Sequence, residues 1–168
     1  MSYVLSVYVP DARTISIIQC IEDMKKLNTE VEIHPDFSFE NQSGFLPFKL
    51  IVTDCPNESL NQRMLLSGFE MSIETIKNTW IEKLFRTKKR YKQQLIISIS
   101  SQDPFEMRLA WYWAAVITKR YQGLLIDEQE GDTYQGQEGI EIALQTVKEY
   151  EQSLSEENWK CHEFEEWL

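Results

Sequence analysis

Histidine is scarce in this 168-residue chain, and the sequence lacks the short motifs typical of enzymes and nucleotide-binding proteins. Its two histidines, His34 and His162, belong to no recognisable triad with a serine or a cysteine. Catalysis at neutral pH usually needs a positioned base, a nucleophile or a metal. The six glycines never form the spacing GxGxxG or GxxxxGK that cradles phosphates. We therefore expect a protein that is not an enzyme and that holds no cofactor.

Cysteines and long apolar runs are also few. The three cysteines, Cys20, Cys55 and Cys161, show no CxxC spacing, which favours buried thiols in a reducing compartment over a disulfide framework or a zinc site. The most apolar segment, residues 109–118, is only ten residues long and too short to span a bilayer. The chain shows no basic start followed by an apolar stretch, so we expect no secretory signal and a cytoplasmic protein.

Positive charge is nearly missing from the last quarter of the chain. Residues 127–168 hold thirteen carboxylates and two lysines, a local net charge of −11, whereas the preceding 126 residues carry +1. The same stretch contains Trp159, Phe164 and Trp167, unlike a solubilising tail, which would lack large aromatic residues. The pattern predicts a folded, negatively charged face. Such a face attracts a basic protein and repels nucleic acid. At physiological ionic strength, salt screens these interactions beyond a Debye length of roughly 8–10 Å.

The periodicity of apolar residues predicts one α+β domain over residues 1–168, in which a mixed sheet carries helices mainly on one face. Its C-terminal part, residues 127–168, is expected to be an acidic helical region. Alternating apolar residues predict strands at 3–9, 31–34, 45–53, 69–73, 95–100 and 124–126. Helical spacing predicts helices at 14–27, 76–84, 105–121 and 140–154.

The helix over residues 105–121 has the clearest start signal. Asp103 is a good N-cap, and Glu106 stands three residues later, where it would complete a capping box. On the helix itself, Trp111 and Tyr112 point away from the apolar stripe that faces the core. We expect one of these two side chains to be exposed.

Three features allow more than one function. The acidic loop that begins at Asp127 either binds a hard cation or is an acidic interaction site or a solvated loop. Its spacing does not match an EF-hand, so no metal site is predicted. The adjacent Cys161 and His162 are either packed or part of a reactive pair. The basic run over residues 86–92 is either the solvated end of a helix or a phosphate contact, which a net charge of −10 opposes.

The aromatic residues of the acidic tail also have two interpretations. A tryptophan there either folds back to close the core or anchors a partner interface, where tryptophan is enriched. The residues that we expect to contact a partner share the acidic loop and the tail: Asp127, Glu128, Glu130, Asp132, Trp159, Glu163, Glu165, Glu166 and Trp167.

One segment resembles a known group of proteins. The run LIISISSQDPFEMRLAWYWAAVITKRYQGLLIDEQEGDTY, over roughly residues 95–135, contains a strand, an alanine-rich helix with an aromatic centre, and a Gly-containing turn. A further strand then ends near an acidic loop. This order is similar to the conserved half of small cytoplasmic α+β immunity proteins, which bacteria encode beside polymorphic and type VI secretion toxins.

The resemblance implies a protein that binds a cognate toxin and blocks it, without catalytic residues of its own. One such family is paired with toxins of the restriction-endonuclease fold, and nucleases are basic because they bind phosphates. We therefore expect a basic toxin, possibly a nuclease, as the partner, and no binding to nucleic acid or membranes. Two alternatives remain open: a small hydrolase or metal-dependent enzyme, and an adaptor or assembly subunit that forms a homodimer.

Overall fold

The computed structural model describes residues 2–40, 42–76 and 91–167, and this part of the chain contains eight strands and three α-helices. The strands are β1 (Tyr3–Val9), β2 (Thr29–Ile33), β3 (Ser43–Val52), β4 (Leu65–Thr75), β5 (Gln93–Ile99), β6 (Leu124–Asp127), β7 (Asp132–Tyr134) and β8 (His162–Glu163). The helices are α1 (Ile17–Lys25), α2 (Glu106–Arg120) and α3 (Gln137–Ser153). The α+β class predicted from periodicity is confirmed.

The strands form one sheet in the order β2-β3-β4-β5-β1-β6-β7, and β8 pairs with the start of β4. Leu5 of β1 lies opposite Ile97 of β5 and Asp127 of β6, so β1 is an inner strand, as its two apolar faces predict. Every described pairing is antiparallel, whereas the sequence pattern predicts a mixed sheet. Neighbours joined by a short turn, such as β6 and β7, can only pair in this way.

Helix α2 lies across one face of the sheet at the centre of the core. Its residues 106–118 are all buried, because β1, β4 and β5 cover one side of the helix and α1 and α3 cover others. Trp111 is 1% exposed and Tyr112 is 2% exposed, so the expectation that one of them reaches solvent is wrong. No helix in the described ranges is long and apolar enough to cross a bilayer.

The start of α2 differs from the predicted capping box. Asp103 does accept a hydrogen bond from the backbone N–H of Phe105, at 2.8 Å. The carboxylate of Glu106, however, accepts from the backbone N–H groups of Ser100 and Ser101, at 2.7 and 3.2 Å, and from the Ser100 hydroxyl. Glu106 thus fixes the chain as it leaves β5, and helix and strand are locked together at this corner.

The C-terminal quarter is less helical than predicted. The stretch after β6 was expected to be a loop, but it contains β7, and the chain beyond α3 forms a short 3-10 turn and then β8. These two strands have three and two residues, too few to show a periodic pattern. The helix predicted over residues 76–84 lies almost wholly outside the described residues, as does the basic run except for Tyr91 and Lys92.

Candidate functional site

The acidic loop between β6 and β7 is fixed by Asp127, the last residue of β6. Asp127 is only 5% exposed, and its carboxylate accepts hydrogen bonds from the Tyr3 hydroxyl and from the backbone N–H of Gln129. Burial, and then the bond to Asp127, raise the pKa of the Tyr3 hydroxyl. Asp127 therefore stabilises the turn and offers no free charge to a partner. The acidic residues of the loop itself and of the start of β7 are exposed: Glu128, Glu130 and Asp132.

Helix α3 separates its apolar and acidic residues onto two sides. Ile140, Ala143 and Val147 are buried against the rest of the helical layer. The opposite stripe is exposed and holds the acidic residues Glu138, Glu141 and Glu149. A helix with one apolar stripe and one charged stripe is typical of a surface helix. The acidic stripe of α3 thus lies on the helical side of the sheet.

A buried ion pair holds α3 to α2. Arg108 and Glu151 are each 2% exposed at the side chain, and they meet through two hydrogen bonds of 2.7 and 2.8 Å. The remaining donors of Arg108 reach Asp54 at 2.6 Å and the Thr29 hydroxyl at 3.2 Å. Both carboxylate oxygens of Glu151 accept hydrogen bonds from Arg108, so Glu151 adds no charge to the surface. The pair fixes α3, the helix that carries the acidic stripe.

The chain after α3, which we call the tail (residues 159–167), passes from the helical layer to the opposite face of the sheet. We call this the open face, because none of the described helices covers it. Trp159 packs against Phe105, with ring centroids 5.9 Å apart. Beyond β8, the backbone N–H of Phe164 donates to the carbonyl of Met64 at 3.0 Å. Trp167 then contacts the ring of His34 at the end of β2, with centroids 5.3 Å apart.

Both tail tryptophans are half-buried on the body of the protein, so each keeps part of its ring in solvent. Both tryptophans fold back onto the body of the protein, and their role as anchors of a partner interface stays a prediction. Glu163 pairs with Arg63, whereas Glu165 and Glu166 are exposed. Their roles as partner contacts stay a prediction.

A groove with a volume of about 410 Å³ lies between the tail and β3. In β3, Phe48 and Leu50 point to the core, so the alternate residues Phe45 and Pro47 face the other way, onto the open face. The groove is lined by His34, Asp36, Phe37, Gln42, Phe45, Leu46, Pro47, Leu66, Glu166 and Trp167. It is an apolar channel with the carboxylates of Asp36 and Glu166 along it.

Most of the acidic charge is not used to stabilise the fold. Of the thirteen carboxylates in residues 127–168, eleven are exposed, and only Glu163 among those eleven forms an ion pair with a cation of the described residues. The carboxylates of α3 lie on the helical side of the sheet, whereas Glu166 lines the groove on its open face. At least these two groups of carboxylates are therefore separated by the sheet.

The groove-lining residues of β3, of β4 and of the loop after β2 are not among the predicted site residues. His34 has no predicted partner contact, and Phe45 is only the first residue of a predicted strand. A usable signal was present, because the inward alternation of Phe48, Leu50 and Val52 already places Phe45 on the opposite face. The contact between Trp167 and His34 joins residues 133 positions apart, and no local pattern reveals such a pairing.

The three thiols do not have the lowered pKa of a nucleophilic cysteine. Burial raises the pKa of Cys161, and the nearby carboxylate of Asp103 raises it further. Burial also raises the pKa of Cys20 to about 12 and that of Cys55 to about 11. A nucleophilic cysteine needs the opposite shift, since the thiolate is the reactive form. Within the described residues, no group of three His, Cys, Asp or Glu side chains is placed to hold a metal ion.

We expect all three thiols to be slow toward a thiol reagent in the folded protein. With dithionitrobenzoate at pH 7.5, Cys161 should react at least about tenfold more slowly than the thiols of the chain unfolded in urea, because little thiolate is present. The variant Cys161→Ser identifies the signal from that residue. A rapid burst from Cys161 at pH 6–7 would contradict this picture and favour the hydrolase.

Comparisons with protein families, with curated proteins and with solved structures give no match for this chain.

Proposed function

We propose that this protein is an immunity protein that binds a basic bacterial toxin, a nuclease in the simplest case, and covers its active or substrate-binding surface. The observation that carries the proposal is the set of ten exposed carboxylates without an ion-pair partner among the described residues. Uncompensated like charges repel one another and weaken a compact fold. The cations of a basic partner attract these carboxylates and remove their mutual repulsion. The phosphate-binding surface of a nuclease is the most basic surface that such a partner offers.

The thiol chemistry supports the same proposal by weakening the hydrolase alternative. The resemblance of residues 95–135 to immunity proteins agrees with it but involves only the strand–helix–strand unit that supports the surface. The contact residues lie on the loop and the tail.

The test is co-expression with the toxin encoded beside this gene, with cell growth and binding kinetics as readouts. We expect the wild-type protein to restore growth. Reversing four exposed carboxylates (Glu128→Lys, Glu130→Lys, Asp132→Lys and Glu165→Lys) should lower the association rate at least about tenfold at low salt, because electrostatic steering mainly affects association. High salt should remove most of that difference.

The matched control reverses four exposed carboxylates in the first part of the chain: Glu22→Lys, Glu30→Lys, Glu58→Lys and Glu74→Lys. It changes the net charge by the same amount, so it separates a local surface from total charge. Equal losses in both variants, or full protection by the first variant, would contradict the proposal.

A further inference from the structure

Phe45 is an exposed aromatic side chain held in place by its neighbours. It is 56% exposed on the open face, in the part of β3 that pairs with β4 but lies beyond the pairing with β2. Its ring lies over Gly68 of β4: a Cβ at Gly68 would stand only 2.7 Å from Cζ of Phe45. A glycine there lets the ring lie against the backbone of the next strand. An aromatic residue fixed in this way loses little entropy when a partner covers it.

Recesses flank Phe45 on both sides. One is the groove of about 410 Å³ beside the tail. The other, of about 360 Å³, lies toward β5, and its lining includes Glu70 and Asp103. Glu70 is exposed and pairs directly with Phe45 across β3 and β4. Phe45 and Leu66 border both recesses, so the two form one surface with Phe45 at its centre.

Carboxylates line both parts of this surface. Asp36 and Glu166 line the groove, Glu70 and Asp103 line the second recess, and neither lining includes a lysine or an arginine among the residues that the structure describes. Lys49, the cation of β3, is held by Glu32 at 3.3 Å and covers the ring of Phe164. An apolar centre flanked by carboxylates is complementary to an apolar side chain flanked by cations.

We propose that the groove beside Phe45 is the anchor of the interface and receives a large apolar side chain of the partner, with neighbouring lysine or arginine residues meeting Asp36, Glu166 and Glu70. The inference rests on the proposed function, because it takes the partner to be basic. The volume is near the lower end of the roughly 300–1,000 Å³ typical of ligand sites, so it suits one large side chain. A tryptophan, phenylalanine or leucine is the expected occupant.

A synthetic probe tests the groove without the toxin. The probe is the peptide Lys-Arg-Gly-Lys-Trp-Lys-Gly-Arg-Lys, and two control peptides replace its Trp by Ala or all of its cations by Glu. Titration is followed by ¹⁵N-resolved NMR of the whole protein. We expect the probe to shift the signals of His34, Phe45, Leu66 and Trp167, and both controls to bind at least about tenfold more weakly.

Two groove variants and one matched control complete the test. Phe45→Ser removes the central ring, and Asp36→Lys combined with Glu166→Lys reverses the charge while keeping that ring. Each should weaken binding of the probe about thirtyfold, as expected for the centre of an interface. Ile18→Ser removes a side chain that is 70% exposed on α1, away from the groove, and should stay within about twofold of wild type. Thermal melts establish that every variant is folded.

Two results would overturn the inference. One is the absence of groove shifts at 2 mM probe, and the other is a folded Phe45→Ser variant that binds as wild type does. The proposed function is judged separately, because its four-carboxylate variant changes no residue that lines the groove. If the toxin still binds with strong salt dependence while Phe45→Ser has no effect, the function stands and only the anchor is wrong.

Discussion

Replacing Arg108 by alanine is expected to lower the free energy of unfolding by about 3–5 kcal/mol. The substitution leaves Glu151, 2% exposed at its side chain, as a buried carboxylate without its two hydrogen bonds. A charge in that position costs several kcal/mol because burial removes its water and nothing replaces the lost partner. Urea unfolding followed by circular dichroism measures the loss.

The double variant Arg108→Met with Glu151→Met is the control for this effect. Apolar residues of similar volume often replace a buried ion pair at little cost, so the double variant should regain most of the lost stability. If the double variant is as unstable as Arg108→Ala, packing of the arginine stem, and not the unpaired charge, explains the loss.

The stability that Arg108→Ala loses is expected to depend on pH. Burial raises the pKa of Glu151 above its ordinary value, and Arg108 opposes that shift. Without Arg108 the folded-state pKa rises further, so the folded chain binds a proton that the unfolded chain has released. The stability deficit is then complete above the folded-state pKa and shrinks as the pH falls toward the unfolded value near 4.5. The deficit of Arg108→Ala should therefore be smaller at pH 5 than at pH 8.

Replacing Trp113 by alanine is expected to cost about 3–5 kcal/mol, as for other fully buried tryptophans. The Trp113 side chain is 0% exposed and stacks on Phe39 with a centroid distance of 5.7 Å and an interplanar angle of 4°. Phe37 and Phe48 contact it edge-on, at 6.3 and 5.5 Å. Removing the indole leaves a cavity among these rings, which the surrounding sheet cannot fill.

Trp113→Ala should also loosen the loop after β2, which borders the groove. Phe37 and Phe39 belong to the loop after β2, and Phe37 itself lines the groove. A loop that has lost its anchor opens more readily, so we expect faster amide exchange at residues 34–40 than in wild type. Trp113→Phe keeps most of the apolar contact and should lose less than half as much stability. A folded Trp113→Ala variant within about 1 kcal/mol of wild type would show that the ring cluster does not hold the loop.

How far the sequence predicts this fold depends on the range of the interactions involved. Strand β1 and helix α2 are predictable because their apolar spacing is long and regular. Asp127 is different, because it stands in an acidic run typical of a solvated loop. In the structure it is buried, and it accepts a hydrogen bond from Tyr3, 124 residues away. The all-round burial of α2 likewise depends on helices and a loop elsewhere in the chain.

The sequence predicts the acidic residues of the candidate site but not the groove beside them. The carboxylates of the loop and the tail are visible in the sequence, and most of them are exposed in the structure. The groove depends on Trp167 meeting His34 and on Gly68 admitting the ring of Phe45, two long-range contacts with no local signal. The sequence therefore predicts the kind of partner, and the structure supplies the surface that we propose to hold it.

In the proposed function, the exposed carboxylates bind a basic protein. This is tested by purifying the tagged full chain from its native host at low salt, followed by mass spectrometry and a salt step. We predict one stoichiometric basic partner, encoded by the neighbouring gene and released at about 0.5 M salt, where charges are screened within a few ångströms. An acidic partner, a complex that resists salt, or a chain that recovers only copies of itself would contradict the proposed function.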